Sequence, residues 1–218
     1  MCAFKQSKKG IEFNMKNIIL TSNGFNNNGK RSKKIEKLFE EISKGKRVLL
    51  IGNAAKTTNI NSRKDVKDNF EKIGARQVDL LDIDESNLEK ILEYDVIYVI
   101  GGDPGELIEL NNTSNFKEYI IEFLKKGIYI GESAGSIIMG EDCKWIYDIK
   151  KGTKSKYDKV FKTYKGLGLT TFRIYPHYDE ADEELKEKIE KYEKENNIQI
   201  TKLNNGEFIR LKINRNNI

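Results

Sequence analysis

Short, uninterrupted apolar runs alternate along this chain with longer stretches in which apolar residues recur every three or four positions. The first pattern belongs to strands buried on both faces and the second to amphipathic helices. Their alternation predicts a mainly parallel sheet covered by helices on both sides. Strands are expected at 17–21, 48–51, 77–81, 96–100, 128–130, 171–175, 198–203 and 208–213. The last two flank Asn204, Asn205 and Gly206 and read as a hairpin. Helical stripes are formed by Ile35, Leu38, Phe39 and Ile42, by Val66, Phe70 and Ile73, and by Phe116, Tyr119, Ile120, Phe123 and Leu124. Each stripe is read as core. Ala181, Leu185, Ile189 and Tyr192 give a highly charged helix with one narrow apolar face, expected at the surface. The segment 141–165 has little periodicity and reads either as a flap over an active site or as an irregular surface excursion. The expected fold class is α/β, a doubly wound three-layer arrangement of the flavodoxin-like kind.

A length of 218 residues suits one such domain. Met15 runs straight into the first strand, so residues 1–14 read as an N-terminal extension and 15–218 as a single α/β domain. Charged residues make up 33% of the chain, which describes a heavily solvated surface rather than a membrane protein. No apolar run approaches the ~18 residues that span a bilayer. The N-terminal lysines are not followed by an apolar h-region, so a cytoplasmic location is expected. Cys2 and Cys143 lack metal-ligand spacing and a partner pattern, so neither a zinc site nor a disulfide framework is expected. The formal charge is +5, or +3 without the first fourteen residues, which hold three Lys and one Glu. Lysines alternate with glutamates on helix faces and no aromatic-rich basic strip accompanies them, so no nucleic-acid partner is expected.

Candidate chemistry sits at the ends of the expected strands. The run at 128–130 leads into Gly131-Glu132-Ser133-Ala134-Gly135 and then an apolar helix start, the strand-turn-helix context of a nucleophile elbow. A sharp turn lifts the serine hydroxyl above the sheet, and its small neighbours let substrate and backbone approach. A helix starting there aims free backbone N–H groups at an oxyanion, which makes Ala134 N–H one candidate donor. Ile100-Gly101-Gly102-Asp103-Pro104-Gly105 follows another strand and offers Gly102 N–H as a second, while Asp103 and Pro104 suit a helix cap and first turn. His177, the single histidine, follows the strand expected at 171–175, at the same sheet edge as Ser133, where it can serve as general base.

At these residues the chain resembles the dipeptidase E, or α-aspartyl dipeptidase, family of serine peptidases, with cyanophycinase a more distant relative. The likeness rests on Thr21-Ser22-Asn23-Gly24, Gly101-Gly102-Asp103, Gly131-Glu132-Ser133-Ala134-Gly135-Ser136, and Leu167-Gly168-Leu169 leading into Pro176-His177-Tyr178. It implies a class I glutamine amidotransferase-like fold and hydrolysis through an acyl-enzyme without metal or organic cofactor, with Ser133 as nucleophile and His177 as base. For the third triad member it points to Asp148, which stands about where the family places an acid beyond the serine. Family members also draw an acid from a late turn, where this chain has Asn205, leaving Glu207 as a substitute. Asp179, close to His177 in sequence, is a further alternative.

The expected substrate is a short peptide or small amide, and homodimerisation is left open. The aspartyl dipeptidases hold their substrate with basic residues after the histidine motif. Here residues 179–184 are acidic or alanine, so aspartyl preference does not carry over. A broad esterase and a catalytically silent ligand-binding protein on the same fold are the competing readings.

Overall fold

A strand with no polar interruption is stable only where both of its faces are covered, because its side chains point alternately to either side. The computed structural model, which describes residues 18–27, 30–55 and 60–211, meets that demand. Chain order runs from β1 (Ile18–Thr21) through a short antiparallel pair, β2 (Asn26–Asn27) and β3 (Lys30–Arg31), to α1 (Lys33–Ser43) and β4 (Arg47–Ile51). Then come α2 (Ile60–Lys72), β5 (Gln77–Leu81), β6 (Val96–Val99), α3 (Pro104–Thr113), α4 (Phe116–Leu124) and β7 (Ile128–Glu132). The last third holds α5 (Ala134–Ile137), α6 (Lys144–Lys150), β8 (Ile174–Tyr175), α7 (Glu183–Asn196), β9 (Thr201–Lys202) and β10 (Phe208–Leu211).

Six strands form the main sheet in the order β10-β1-β7-β6-β4-β5, all parallel except β10, which runs antiparallel to β1 at one edge. Side-chain alternation divides the core in two. Ile19, Val48, Leu50, Val96, Tyr98 and Ile130 face α1 and α2, whereas Ile18, Leu20, Leu49, Ile51, Ile97, Val99 and Tyr129 face α3, α4, α5 and α6. This is the doubly wound α/β sheet that the hydrophobic pattern predicts, consistent with a class I glutamine amidotransferase-like fold.

Helix boundaries follow ordinary capping chemistry. Ser32 accepts from Ile35 N ahead of α1, Asp182 accepts from Leu185 N ahead of α7, and Asp103 accepts from Gly105 N with Pro104 at the first position of α3. The three expected helical stripes are buried, apart from the half-buried Tyr119. Only Ile189 of α7 is fully buried, in keeping with a surface helix.

Two expectations need correction. Residues 198–203 and 208–213 do not form a hairpin: β9 pairs in parallel with β8 in a separate two-stranded sheet, while β10 joins β1. The open edge of β1 takes the last strand, and the turn between β9 and β10 is thereby brought beside the exit of β8. The segment 141–165 is also more ordered than its weak periodicity suggests. An antiparallel bridge between Asp142 and Lys165 closes its neck, it contains α6, and Tyr147 packs edge-on against Tyr157, Phe161 and Tyr164. Such local aromatic packing leaves no repeating period to read. The expected extension 1–14 lies outside the described residues, as do Asn17 and residues 212–213 of the expected terminal strands.

Phe70 stacks on Phe39 and meets Phe25 and Tyr98 edge-on, all four buried between the sheet and α1 and α2. Phe70→Ala should therefore lower unfolding free energy by about 3–5 kcal/mol, measured by urea denaturation. A loss below about 1 kcal/mol would mean that this face is not close-packed.

Candidate active site

β7 ends at a bend that its neighbours enforce. Ser133 has φ 48° and ψ −103°, a conformation that costs a non-glycine residue on the order of 1–3 kcal/mol and persists only where the surroundings hold it. Three ties to its surroundings do so: Ser133 N donates to Thr21 O at 3.1 Å, Thr21 N donates to Ser136 Oγ at 3.0 Å, and Tyr129 Oη donates to Gly135 O at 2.8 Å. The flanking glycines answer to close approach. A Cβ on Gly131 would strike the Gly135 carbonyl, and one on Gly135 would lie 2.7 Å from Val99 O.

His177 leaves β8 in the left-handed conformation, with φ 57° and ψ 37°. Its backbone N–H donates to Ser22 Oγ at 2.7 Å, and the next residue, Tyr178, donates to Leu203 O at 3.1 Å. These bonds place His177 Nε2 3.1 Å from Ser133 Oγ. The other ring nitrogen, Nδ1, lies 2.8 Å from Asn205 Oδ1.

The proton positions follow from which groups can donate. A carboxylate can only accept, so the NH2 of Asn205 faces Glu180 Oε1, 2.6 Å away. Its Oδ1 therefore faces the imidazole and also accepts from Ser22 Oγ at 3.1 Å. Since Oδ1 cannot donate, Nδ1 carries the proton and Nε2 is left as the acceptor for the Ser133 hydroxyl. Burial holds the His177 pKa below the ordinary 6.5 against the opposing pull of the Asn205 bond and the Glu180 charge, and Lys150 adds to the lowering. An imidazole in this tautomer, neutral near pH 7, can take a proton from Ser133.

Glu132, between the two glycine-lined turns, accepts from Tyr98 Oη at 2.8 Å and Gly101 N at 3.3 Å, and burial raises its pKa. The Gly101-Gly102 turn is gripped from the far side by the segment after α6: Lys156 Nζ donates to Gly102 O and Lys159 Nζ to Asp103 Oδ2, each at 2.9 Å. A cavity of about 450 Å³ opens over Ser133 and His177, and its lining includes Gly102, Glu132, Glu180 and the three lysines Lys150, Lys154 and Lys156. Burial brings the Lys150 pKa down to about 8, helped by its neighbours Lys156 and Lys154. The stretch 150–157 thus walls the cavity, as the flap reading anticipates.

Of the expected site residues, Ser133, His177, Gly102 and Ala134 come together, with Ala134 opening α5 directly after the bend. The three expected acids do not meet the imidazole. Asp148 pairs with Lys144 at 2.6 Å and accepts from Tyr192 Oη at 3.0 Å, because α6 turns its polar face toward α7. Glu207 closes its own turn by accepting from Asn204 N, and Asp179 accepts from Asn205 N at 2.9 Å, one residue removed from the ring. Asn205, Ser22 and Glu180 are the partners that sequence reasoning did not assign. Ser22 and Asn205 stood inside recognised segments, yet neither can be a triad acid. Among the described residues no group of three or more His, Cys, Asp or Glu side chains is arranged to hold a metal ion, and no helix is long and apolar enough to cross a membrane.

The family model for Peptidase family S51 matches residues 18–217. The chain belongs to peptidase family S51. Its serine-type chemistry accords with a hydroxyl against an imidazole at the strand-helix bend. This S51 peptidase is 30% identical to the uncharacterized peptidase Lin0382 of Listeria innocua serovar 6a, over 76% of this chain and 78% of that one. It is also 24% identical to Peptidase E of Streptomyces coelicolor, over 59% of this chain and 53% of that one. A crystal structure of a peptidase E-type protein from Listeria monocytogenes EGD-e superposes with a TM-score of 0.69 at 27% identity, covering 90% of this chain and 94% of the other.

Because His177 is the single histidine, its ring signals in an NMR titration are unambiguous. The titration midpoint should fall below 6.5. The fold prefers the neutral ring, so this residue's contribution to stability is present above pH 6.5 and is lost as the pH falls through the lowered midpoint. A midpoint above 6.5 would contradict the burial described.

Proposed function

We propose that this S51 peptidase is a dipeptidase-like exopeptidase in which Ser133 is the nucleophile and His177 the general base. The observation that carries the reading is the 3.1 Å approach of Ser133 Oγ to an imidazole nitrogen whose partner nitrogen is already protonated. Ser133 Oγ attacks the scissile carbonyl carbon while its proton passes to Nε2, and the N–H groups of Gly102 and Ala134 receive the oxyanion. Collapse breaks the C–N bond, and the imidazolium returns its proton to the leaving amine. Water, deprotonated by the same nitrogen, then hydrolyses the acyl-enzyme and restores the serine.

The preference for short peptides rests on the cavity, whose lining carries both signs of charge: Glu132 and Glu180, and Lys150, Lys154 and Lys156. A peptide that presents a free ammonium and a free carboxylate inside one chamber of about 450 Å³ has to be short. The acidic run 179–184, which argued against a substrate carboxylate, is offset by lysines from an entirely different segment. Asn205, an uncharged residue where family members can place an acid, still holds Nδ1 and so does not favour a silent protein over hydrolysis.

A fluorophosphonate probe should label the wild type and Cys143→Ala but not Ser133→Ala, read by intact-mass spectrometry; labelling that survives Ser133→Ala would remove the nucleophile assignment. Free dipeptides should be cleaved, with kcat/KM roughly tenfold or more lower after N-acetylation or C-amidation, since each removes a charge-assisted contact. Equal rates on blocked and free peptides would count against the exopeptidase reading. Lys150 loses its charge as the pH rises through about 8, so Lys150→Met should raise KM for free dipeptides below that pH and much less above it.

A further inference from the structure

A triad normally places a carboxylate directly on the imidazole, where it stabilises the imidazolium formed when serine gives up its proton. Here the direct partner is a neutral amide, and two carboxylates stand immediately behind it. Asn205 Nδ2 donates to Glu180 Oε1 at 2.6 Å, and Asn205 N donates to Asp179 Oδ1 at 2.9 Å. Glu180 Oε1 is itself 4.0 Å from His177 Nδ1. The two contacts differ in what they can transmit. Asp179 holds the Asn205 backbone, whereas Glu180 polarises the same side-chain amide that accepts the Nδ1 proton, and hydrogen bonds in series strengthen one another.

We propose that Glu180 is a positioning residue that supplies the triad's negative charge through the side-chain amide of Asn205. The imidazole, the amide and the carboxylate then form one line, His177 Nδ1–H to Asn205 Oδ1 and Asn205 Nδ2–H to Glu180 Oε1. No proton crosses the amide. The line fixes the ring tautomer and lowers the energy of the imidazolium when it forms. A 3-10 turn over Tyr178–Glu180, begun by the left-handed His177, brings the carboxylate back toward the ring that precedes it. This inference rests on the nucleophile and base assigned above.

The charged and titratable groups around the ring are Glu180 and Asp179 from the following turn and Lys150 from α6. Glu180→Gln keeps the size of the side chain and removes only its charge. It should lower the NMR midpoint of His177, a readout that needs no substrate, and reduce kcat for a free dipeptide roughly tenfold, in addition to any rise in KM from its place in the cavity lining. Asn205→Asp brings a second carboxylate against Glu180, and like charges at that separation oppose each other. With a carboxylate placed directly on the ring the relayed charge becomes largely redundant, so the same Glu180→Gln change should cost much less kcat in an Asn205→Asp background. An unchanged midpoint and kcat in Glu180→Gln would overturn the proposal, as would equal losses in both backgrounds or an effect confined to KM, which would make Glu180 a substrate contact. Failure of the underlying hydrolase reading shows separately, as absence of wild-type labelling and turnover, while the midpoint shift in Glu180→Gln can still be read.

Discussion

The bond from His177 Nδ1 to Asn205 Oδ1 decides what the site can be, because it sets which ring nitrogen is bare. An amide can present either an acceptor or a donor, and an imidazole can carry its proton on either nitrogen. Left alone, the pair has two self-consistent arrangements, only one of which leaves Nε2 able to accept from a serine. Glu180 and Ser22 remove that ambiguity: one takes the amide NH2, and the other donates to its oxygen. Four side chains from three separate stretches of chain thus select a single tautomer. In the proposed mechanism that selection is what turns a serine at a bend into a nucleophile.

The sheet supplies the stage for this selection. Ser22, Gly102 and Ser133 lie beyond the carboxyl ends of β1, β6 and β7, which are neighbours in the order β1-β7-β6, and His177 lies just beyond the end of β8. Parallel strands bring their carboxyl ends to one edge, so residues far apart in sequence converge there without any long-range search by flexible loops. The strained Ser133 is affordable because its bend is laced to β1 by backbone bonds and the Ser136 hydroxyl. Strain and support arise from the same short segment.

The remaining wall of the site comes from the end of α6 and the stretch after it. It carries Lys150, Lys154 and Lys156 to the cavity and grips the Gly101-Gly102 turn through Lys156 and Lys159. The segment that sets the charge of the proposed substrate chamber thereby also holds the turn proposed to receive the oxyanion. Changes in that segment that alter substrate preference would be expected to alter the oxyanion turn as well.

Residue pattern alone determined the strand-helix alternation, the buried stripes of α1, α2 and α4, and the bend at Gly131-Glu132-Ser133-Ala134-Gly135, because each depends on near neighbours and on the period of a local element. A single histidine at a strand end was likewise readable, since the choice was among one. The pairing of β9 with β8 rather than β10 was not, for it depends on which sheet edge is left open once the other strands have assembled. Nor was the imidazole's partner. Sequence distance favoured Asp148, whereas α6 directs that carboxylate to Lys144 and Tyr192, and the turn between β9 and β10 delivers Asn205. Hydrogen bonds form between groups that packing brings within about 3 Å, and that proximity is a property of the assembled layers, not of spacing along the chain.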